Sequence, residues 1–145
     1  MGDKRSIIFK NRLSELERLR IAVEEFAEAR SLPSKTAFEI NLCLDELLTN
    51  VISYAYQDEE EHEIVLTMVC ENGRIILTLE DDGAPFDPLE RAEPEVAKPA
   101  DEREIGGLGI HFVRKMMDRV EYRRDSDRNI VTLTKKTDSD SQSTE

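Results

Sequence analysis

No apolar run in this sequence approaches membrane-spanning length, and a helix needs about 20 such residues to cross a bilayer. The N-terminus, MGDKRSIIFK, lacks the apolar core of a signal peptide. Met1-Gly2 followed by Ser6 meets the myristoylation pattern nominally, but a pattern that short arises by chance. Cysteine is scarce. Cys43 and Cys70 stand alone, each in an apolar segment and without metal-ligand spacing, which excludes a disulfide framework and predicts reduced core residues. These absences lead to a cytoplasmic chain as the expectation. Positive charge is also in deficit. Twenty Lys and Arg face 32 Asp and Glu, a net charge of −12, and no basic stretch of any length occurs. That argues against a nucleic-acid or anionic-membrane surface. An acidic chain that binds phosphate needs local help, from backbone N–H groups or a divalent cation.

What is present suits one domain. The 145 residues, 39% hydrophobic and 36% charged, are enough for one real core, and no internal repeat divides them. Ser6 to Lys10 reads as a short first strand. Leu13, Leu16, Leu19, Val23, Phe26 and Ala27 recur at helical spacing, predicting an amphipathic helix to about Arg30. Ser31-Leu32-Pro33-Ser34 breaks it, with Ser34 as N-cap of a second helix reaching about Tyr54. Ala37, Ile40, Leu44, Leu47, Leu48, Val51 and Ala55 form the core stripe of that helix. Glu39, Cys43, Glu46, Asn50, Ser53 and Gln57 fall on the roughly opposite side, which is either solvated or lines a pocket.

Gln57 to Glu63 is an acidic loop in which His62 is expected to be exposed. Two β-rich runs, Ile64 to Glu71 and Arg74 to Asp81, flank Asn72-Gly73. Both turn residues accept positive φ, so the pair predicts a tight hairpin. Asp82 to Ile105 has no periodicity and holds four of the five prolines, the pattern of a lid or a disordered segment. Gly106-Gly107-Leu108-Gly109 ends it. Ile110, Val113, Met116 and Met117 then mark a third helix. Val120 to Arg123 and Asn129 to Thr134 read as a last strand pair, and 137–145 as a disordered acidic tail. The order β-α-α-β-β-lid-α-β-β predicts an α/β two-layer sandwich. Its mixed, mostly antiparallel sheet would be covered on one face by about three helices.

Three polar clusters carry the candidate chemistry. Glu46 and Asn50 lie just over one turn apart, so both heads point the same way. A carboxylate takes a proton, and a carboxamide oxygen holds a hard cation such as Mg²⁺. Asp81-Asp82-Gly83 ends a strand, where an Asp accepts a hydrogen bond from an exocyclic amine. The glycine-rich 106–109 segment opens a helix and turns backbone N–H groups toward an anion. Each cluster alone also reads as structure: a solvated helix face, an ordinary turn, a hinge. Their order along one chain is what suggests nucleotide phosphoryl chemistry.

In that order the chain resembles the GHKL (Bergerat-fold) ATPases, and among them the RsbW/SpoIIAB-type anti-sigma factor serine/threonine kinases. The resemblance runs from the first strand to about Lys136. Glu46-Leu47-Leu48-Thr49-Asn50 with Ala55-Tyr56 is similar to the family's N box. Asp81-Asp82-Gly83-Ala84-Pro85-Phe86-Asp87 resembles its adenine-binding segment, Gly107-Leu108-Gly109-Ile110 its phosphate-lid glycine box, and Asn129 to Lys135 its closing strand. The resemblance implies a single ATP-binding kinase-like domain over residues 1–136. ATP and Mg²⁺ would be its cofactors, and a serine or threonine of a STAS-type anti-anti-sigma protein its phosphoacceptor. It further implies sequestration of a sigma factor and a homodimer. It assigns Glu46 as general base, Asn50 as Mg²⁺ ligand, Asp81 and Gly83 to the adenine, and Gly107, Leu108, Gly109 and Ile110 to the phosphates. Thr132 would sit behind the adenine through water. Tyr54 stands where the family often has His, and the family's glycine near Arg128-Asn129 is missing. The alternative on the same pocket is a non-catalytic module that binds a protein partner under ATP/ADP control.

Overall fold

A computed structural model describes residues 3–87 and 107–137. Five strands form one sheet in the order β1-β2-β3-β5-β4, with every pairing antiparallel. The strands are β1 (Asp3–Lys10), β2 (Glu63–Glu71), β3 (Arg74–Asp81), β4 (Arg119–Asp125) and β5 (Arg128–Lys136). The helices are α1 (Leu16–Ala29), entered through a 3₁₀ turn at Leu13–Glu15, α2 (Ser34–Tyr54) and α3 (Gly107–Met116). The two-layer α/β sandwich is therefore as the sequence predicts, with the sheet wholly antiparallel. The proline-rich lid and Gly106 fall largely or wholly outside the described residues, as does most of the acidic tail. Thr137 belongs to the folded part instead, because its N–H donates to the Gly73 carbonyl at 2.9 Å.

Local chemistry accounts for the boundaries. Asn72 (φ 54°) and Gly73 (φ 74°) both adopt the left-handed region, the requirement of a two-residue hairpin turn. Helix α1 ends in a Schellman arrangement, with Leu32 N–H donating to Ala27 O and Ser31 N–H to Glu28 O. Ser31 (φ 54°) occupies the left-handed position usually given to glycine. Helix α2 starts one residue earlier than a Ser34 cap predicts. Pro33 holds the cap position in extended backbone, and Ser34 is the first helical residue.

The core lies between the sheet and the helices. Phe9, Ile64, Leu66, Met68, Leu77 and Leu79 of the sheet meet Phe26 of α1, Leu44 and Leu47 of α2, and Val113 of α3. Complete burial of each such side chain contributes about 1.5–3 kcal/mol. α2 packs against both α1 and α3, so it is the central helix. That position leaves the second face of α2 enclosed, not solvated, at Cys43 and Asn50. Cys43 and Asn50, expected opposite the core stripe, are themselves buried at 1% and 0% exposure, because neighbours cover more than one side of the helix. The other sheet face carries Thr67, Thr78, Thr132 and Thr134, all half-buried. Among the described residues no helix is long and apolar enough to cross a membrane.

Candidate functional site

The Asp81–Phe86 turn is fastened to the C-terminal end of α2. Ala84 N–H donates to the carbonyl of Ala55, the residue capping α2, at 2.8 Å. Gly83 is buried against the same residue. A Cβ added there would lie 2.5 Å from Ala55 O and 2.8 Å from Ala55 Cβ, so only glycine lets the turn approach this closely. The rings of Tyr54 and Phe86 lie 6.0 Å apart and tilted, an apolar contact between the same two segments. Tyr54 thus serves as a packing partner of the turn.

Asp81 ends β3 on the sheet face turned toward the helices and is 2% exposed. Its Oδ1 accepts from Gly83 N–H at 2.8 Å and from Asn129 Nδ2 at 2.9 Å. Burial pushes its carboxyl above the usual range, opposed by these two donors. Asn129 lies directly opposite Asp81 in the β3–β5 register and is 1% exposed. Its Nδ2 also donates to Ala84 O at 2.9 Å. Its Oδ1 accepts from Phe86 N–H at 3.1 Å, Tyr122 OH at 2.6 Å and Arg124 Nη1 at 3.1 Å. Arg124 reaches on to Gly83 O at 2.8 Å. One carboxamide therefore ties the turn to β3, β4 and β5.

Asn129, Tyr122 and Arg124 were not among the residues expected from sequence; Thr132 was. The register explains the exchange. Residues paired across an antiparallel ladder share a face, and the faces alternate along each strand. Asp81 pairs with Asn129, and Thr132 pairs with Thr78. Thr132 therefore projects from the sheet face away from Asp81, and the structure does not bring it to the turn. The apolar pair Ile130-Val131 hides this alternation in the sequence.

On α2, Glu46 is half-buried and Asn50 is fully buried. Neither Oδ1 nor Nδ2 of Asn50 has a hydrogen-bond partner among the described residues. A buried polar group left this way costs about 1–3 kcal/mol. Gly107 opens α3 and Gly109 lies in its first turn. Ile110 is 2% exposed, so its side chain belongs to the core and only its backbone is available to a phosphate. The far end of α3 is tied down by Lys135, whose Nζ donates to Met116 O at 2.8 Å and pairs with Glu39 of α2 at 3.0 Å. Cys43 Sγ lies 4.0 Å from Met116 Sδ, and burial pushes its thiol up to about 12, an inert core cysteine.

His62 also departs from expectation. It is half-buried, stacked on Tyr56 with ring centroids 4.3 Å apart. Its Nε2 lies 2.8 Å from Asp58 Oδ1 and its Nδ1 3.4 Å from Asp82 Oδ1.

Residues 9–135 match the family described as the histidine kinase-like ATPase domain. The chain is 32% identical over 101 residues to the serine/threonine-protein kinase BtrW of Bordetella bronchiseptica, covering 70% of this chain and 71% of that one. It is 27% identical over 122 residues to the anti-sigma F factor of Oceanobacillus iheyensis, covering 83% of each. The structure of the RsbU and RsbW domains of a Mycobacterium tuberculosis protein superposes with a TM-score of 0.65 at 11% identity. That likeness covers 93% of this chain and 32% of the longer one, and it speaks to fold alone. The chain belongs to the histidine kinase-like (GHKL, Bergerat-fold) ATPase family, and its named relatives place it with the RsbW-type serine/threonine kinases.

Proposed function

We infer that this chain is an ATP-dependent serine/threonine protein kinase acting in partner switching, with a STAS-type antagonist as phosphoacceptor and a sigma factor as the sequestered partner. One observation carries the reading. α2 bears Glu46 and Asn50, and its C-terminal end is the point to which the Asp81–Gly83 turn is bonded through Ala55. A base, a cation ligand and an adenine acceptor thus belong to one rigid unit. Asp81 accepts the adenine amine, Gly83 lies close to the ring, and the α3 N-terminus at Gly107 to Ile110 faces the phosphates.

The residues present fit Mg²⁺. Asn50 offers a buried carboxamide oxygen with no partner among the described residues. No group of three or more His, Cys, Asp or Glu among the described residues could hold a metal alone. Mg²⁺ keeps several waters and draws on substrate phosphates, so one protein oxygen is a sufficient anchor. When bound, the ion offsets charge on the phosphates. Glu46 accepts the proton of the acceptor hydroxyl as that oxygen bonds to the γ-phosphorus and the bond to the bridging oxygen of ADP breaks. Ile8, Leu13 and Ile21 of the β1 and α1 region are exposed and offer apolar surface to a second copy of the chain.

The test is transfer of γ-labelled phosphate to a STAS-domain protein, alongside ATP binding by calorimetry. Glu46→Ala is expected to lower transfer by about 100-fold or more and to change ATP affinity less than about threefold, since a base contributes to the transition state and not to ground-state binding. Transfer at the wild-type rate would remove Glu46 as base. Wild-type binding without any transfer would favour the non-catalytic, nucleotide-gated module.

A further inference from the structure

Asn129 is the most heavily bonded side chain at the adenine end, and the reading above gives it no task. Its amide has one tenable orientation. On one side stand three donors, Phe86 N–H, Tyr122 OH and Arg124 Nη1. On the other stand two acceptors, Asp81 Oδ1 and Ala84 O. A flipped amide would set its NH₂ against three donors and its oxygen against a carboxylate and a carbonyl. Nδ2 therefore faces Asp81. Asp81 Oδ1 is then engaged by two donors, Asn129 Nδ2 and Gly83 N–H, and only Oδ2 is left for a ligand.

We propose that Asn129 determines nucleobase specificity: by donating to Asp81 Oδ1 it holds the carboxylate with Oδ2 as the acceptor left for a ligand, and so selects a purine bearing an exocyclic amine over one bearing a carbonyl at that position. The proposal rests on the nucleotide reading of the site. Charge-assisted hydrogen bonds to a carboxylate favour its ionised form. An ionised Oδ2 welcomes an amine hydrogen, whereas a carbonyl oxygen placed there meets lone pairs and loses its hydrogen bond to water. Sites built around a substrate N–H discriminate strongly against an analogue lacking it. Without Asn129, Asp81 Oδ1 keeps only the Gly83 N–H, and the carboxylate loses the bond that aims Oδ2. The amine then meets a less well-placed acceptor, whereas a carbonyl, which a carboxylate oxygen does not pair with, loses little.

The experiment compares dissociation constants of ATP and ITP, which differ at that purine position, by calorimetry with Mg²⁺. The wild-type chain is expected to prefer ATP by about 30-fold or more. Asn129→Ala should cut that preference by about tenfold, mainly through lost ATP affinity; tenfold corresponds to about 1.4 kcal/mol. Asn129→Ser, whose shorter side chain draws its hydroxyl back from Asp81 Oδ1, should give a preference between those of wild type and Asn129→Ala. If Asn129→Ala does not fold by circular dichroism, the serine variant decides: a ratio equal to wild type in a folded serine variant with weakened ATP binding overturns the proposal. So does equal weakening of both nucleotides by Asn129→Ala, which would make Asn129 a brace for the turn and nothing more. A wild-type chain that binds neither nucleotide is a different failure. It would remove the nucleotide reading itself, whatever Asn129 does.

Discussion

Two ends of the candidate site differ in how their buried polar groups are satisfied. At the turn, Asp81 Oδ1 and both atoms of the Asn129 carboxamide are matched within the chain. One α-helical stretch away, Asn50 is buried at 0% exposure with neither amide atom hydrogen-bonded among the described residues. The first region is built before any ligand arrives. The second holds a polar group whose satisfaction is left to something outside the described chain. Preorganisation suits a base that must be told apart from others by one hydrogen bond. An open carboxamide suits a cation that arrives with its own waters and phosphates.

The sharpest way to break the bonded end is steric. Gly83→Ala would press a methyl against Ala55 O at 2.5 Å and Ala55 Cβ at 2.8 Å, both parts of the fixed helix end. Overpacking of this kind costs about 1–3 kcal/mol. Urea titration should show that loss, and ATP affinity should fall with it as the turn lifts from α2. An unchanged unfolding midpoint would mean that the turn and the helix end are not rigidly joined.

The open end is tested by removing the polar group. Asn50→Leu replaces an unsatisfied carboxamide by an apolar side chain of similar branching. The ligand-free protein should gain about 1–2 kcal/mol of unfolding free energy. The cost should fall on metal dependence: ATP affinity measured in Mg²⁺ should drop to the value measured in EDTA. A variant that is less stable than wild type, or that keeps its response to Mg²⁺, would show that Asn50 is satisfied without the ion. The opposite signs expected for Gly83 and Asn50 follow directly from the difference between the two ends.

How much of this was readable from the sequence depended on whether the deciding interaction is local. The β2–β3 hairpin was legible because Asn72-Gly73 carries its own backbone requirement, and α2 because its apolar spacing and Pro33 break are local. Glu46, Asn50 and the 81–83 turn were legible as chemistry because each cluster is contiguous or lies one helical turn apart. Asn129 was not. Its importance comes from pairing with Asp81 across 48 residues of sequence, and that register is set by the β4–β5 hairpin and the whole sheet. Ile130-Val131 disturbs the alternation that would have given the face of Thr132. Whether the Asn50 side of α2 is solvated or enclosed was open for a related reason. A helical wheel shows which residues share a side but not that α2 has neighbours on both flanks.

The smallest expected effect lies at the rim of the bonded end, where His62 links the acidic 57–63 loop to Asp82, the residue after Asp81. The hydrogen bond with Asp58 raises the imidazole above its ordinary value, against the effect of burial, and Asp82 adds to the rise. Protonated His62 therefore stabilises the fold. That contribution is complete below the unfolded value of about 6.5 and is lost as pH rises through the higher folded value. His62→Gln should lower unfolding free energy by about 0.5 kcal/mol at acidic pH and by clearly less at alkaline pH, read from urea midpoints at the two conditions. The stack on Tyr56, at 4.3 Å between centroids, offers a competing cause. Stacking does not need the proton on the ring, so a loss of the same size at both pH values would assign the loop's attachment to Tyr56 and take the charge out of the account.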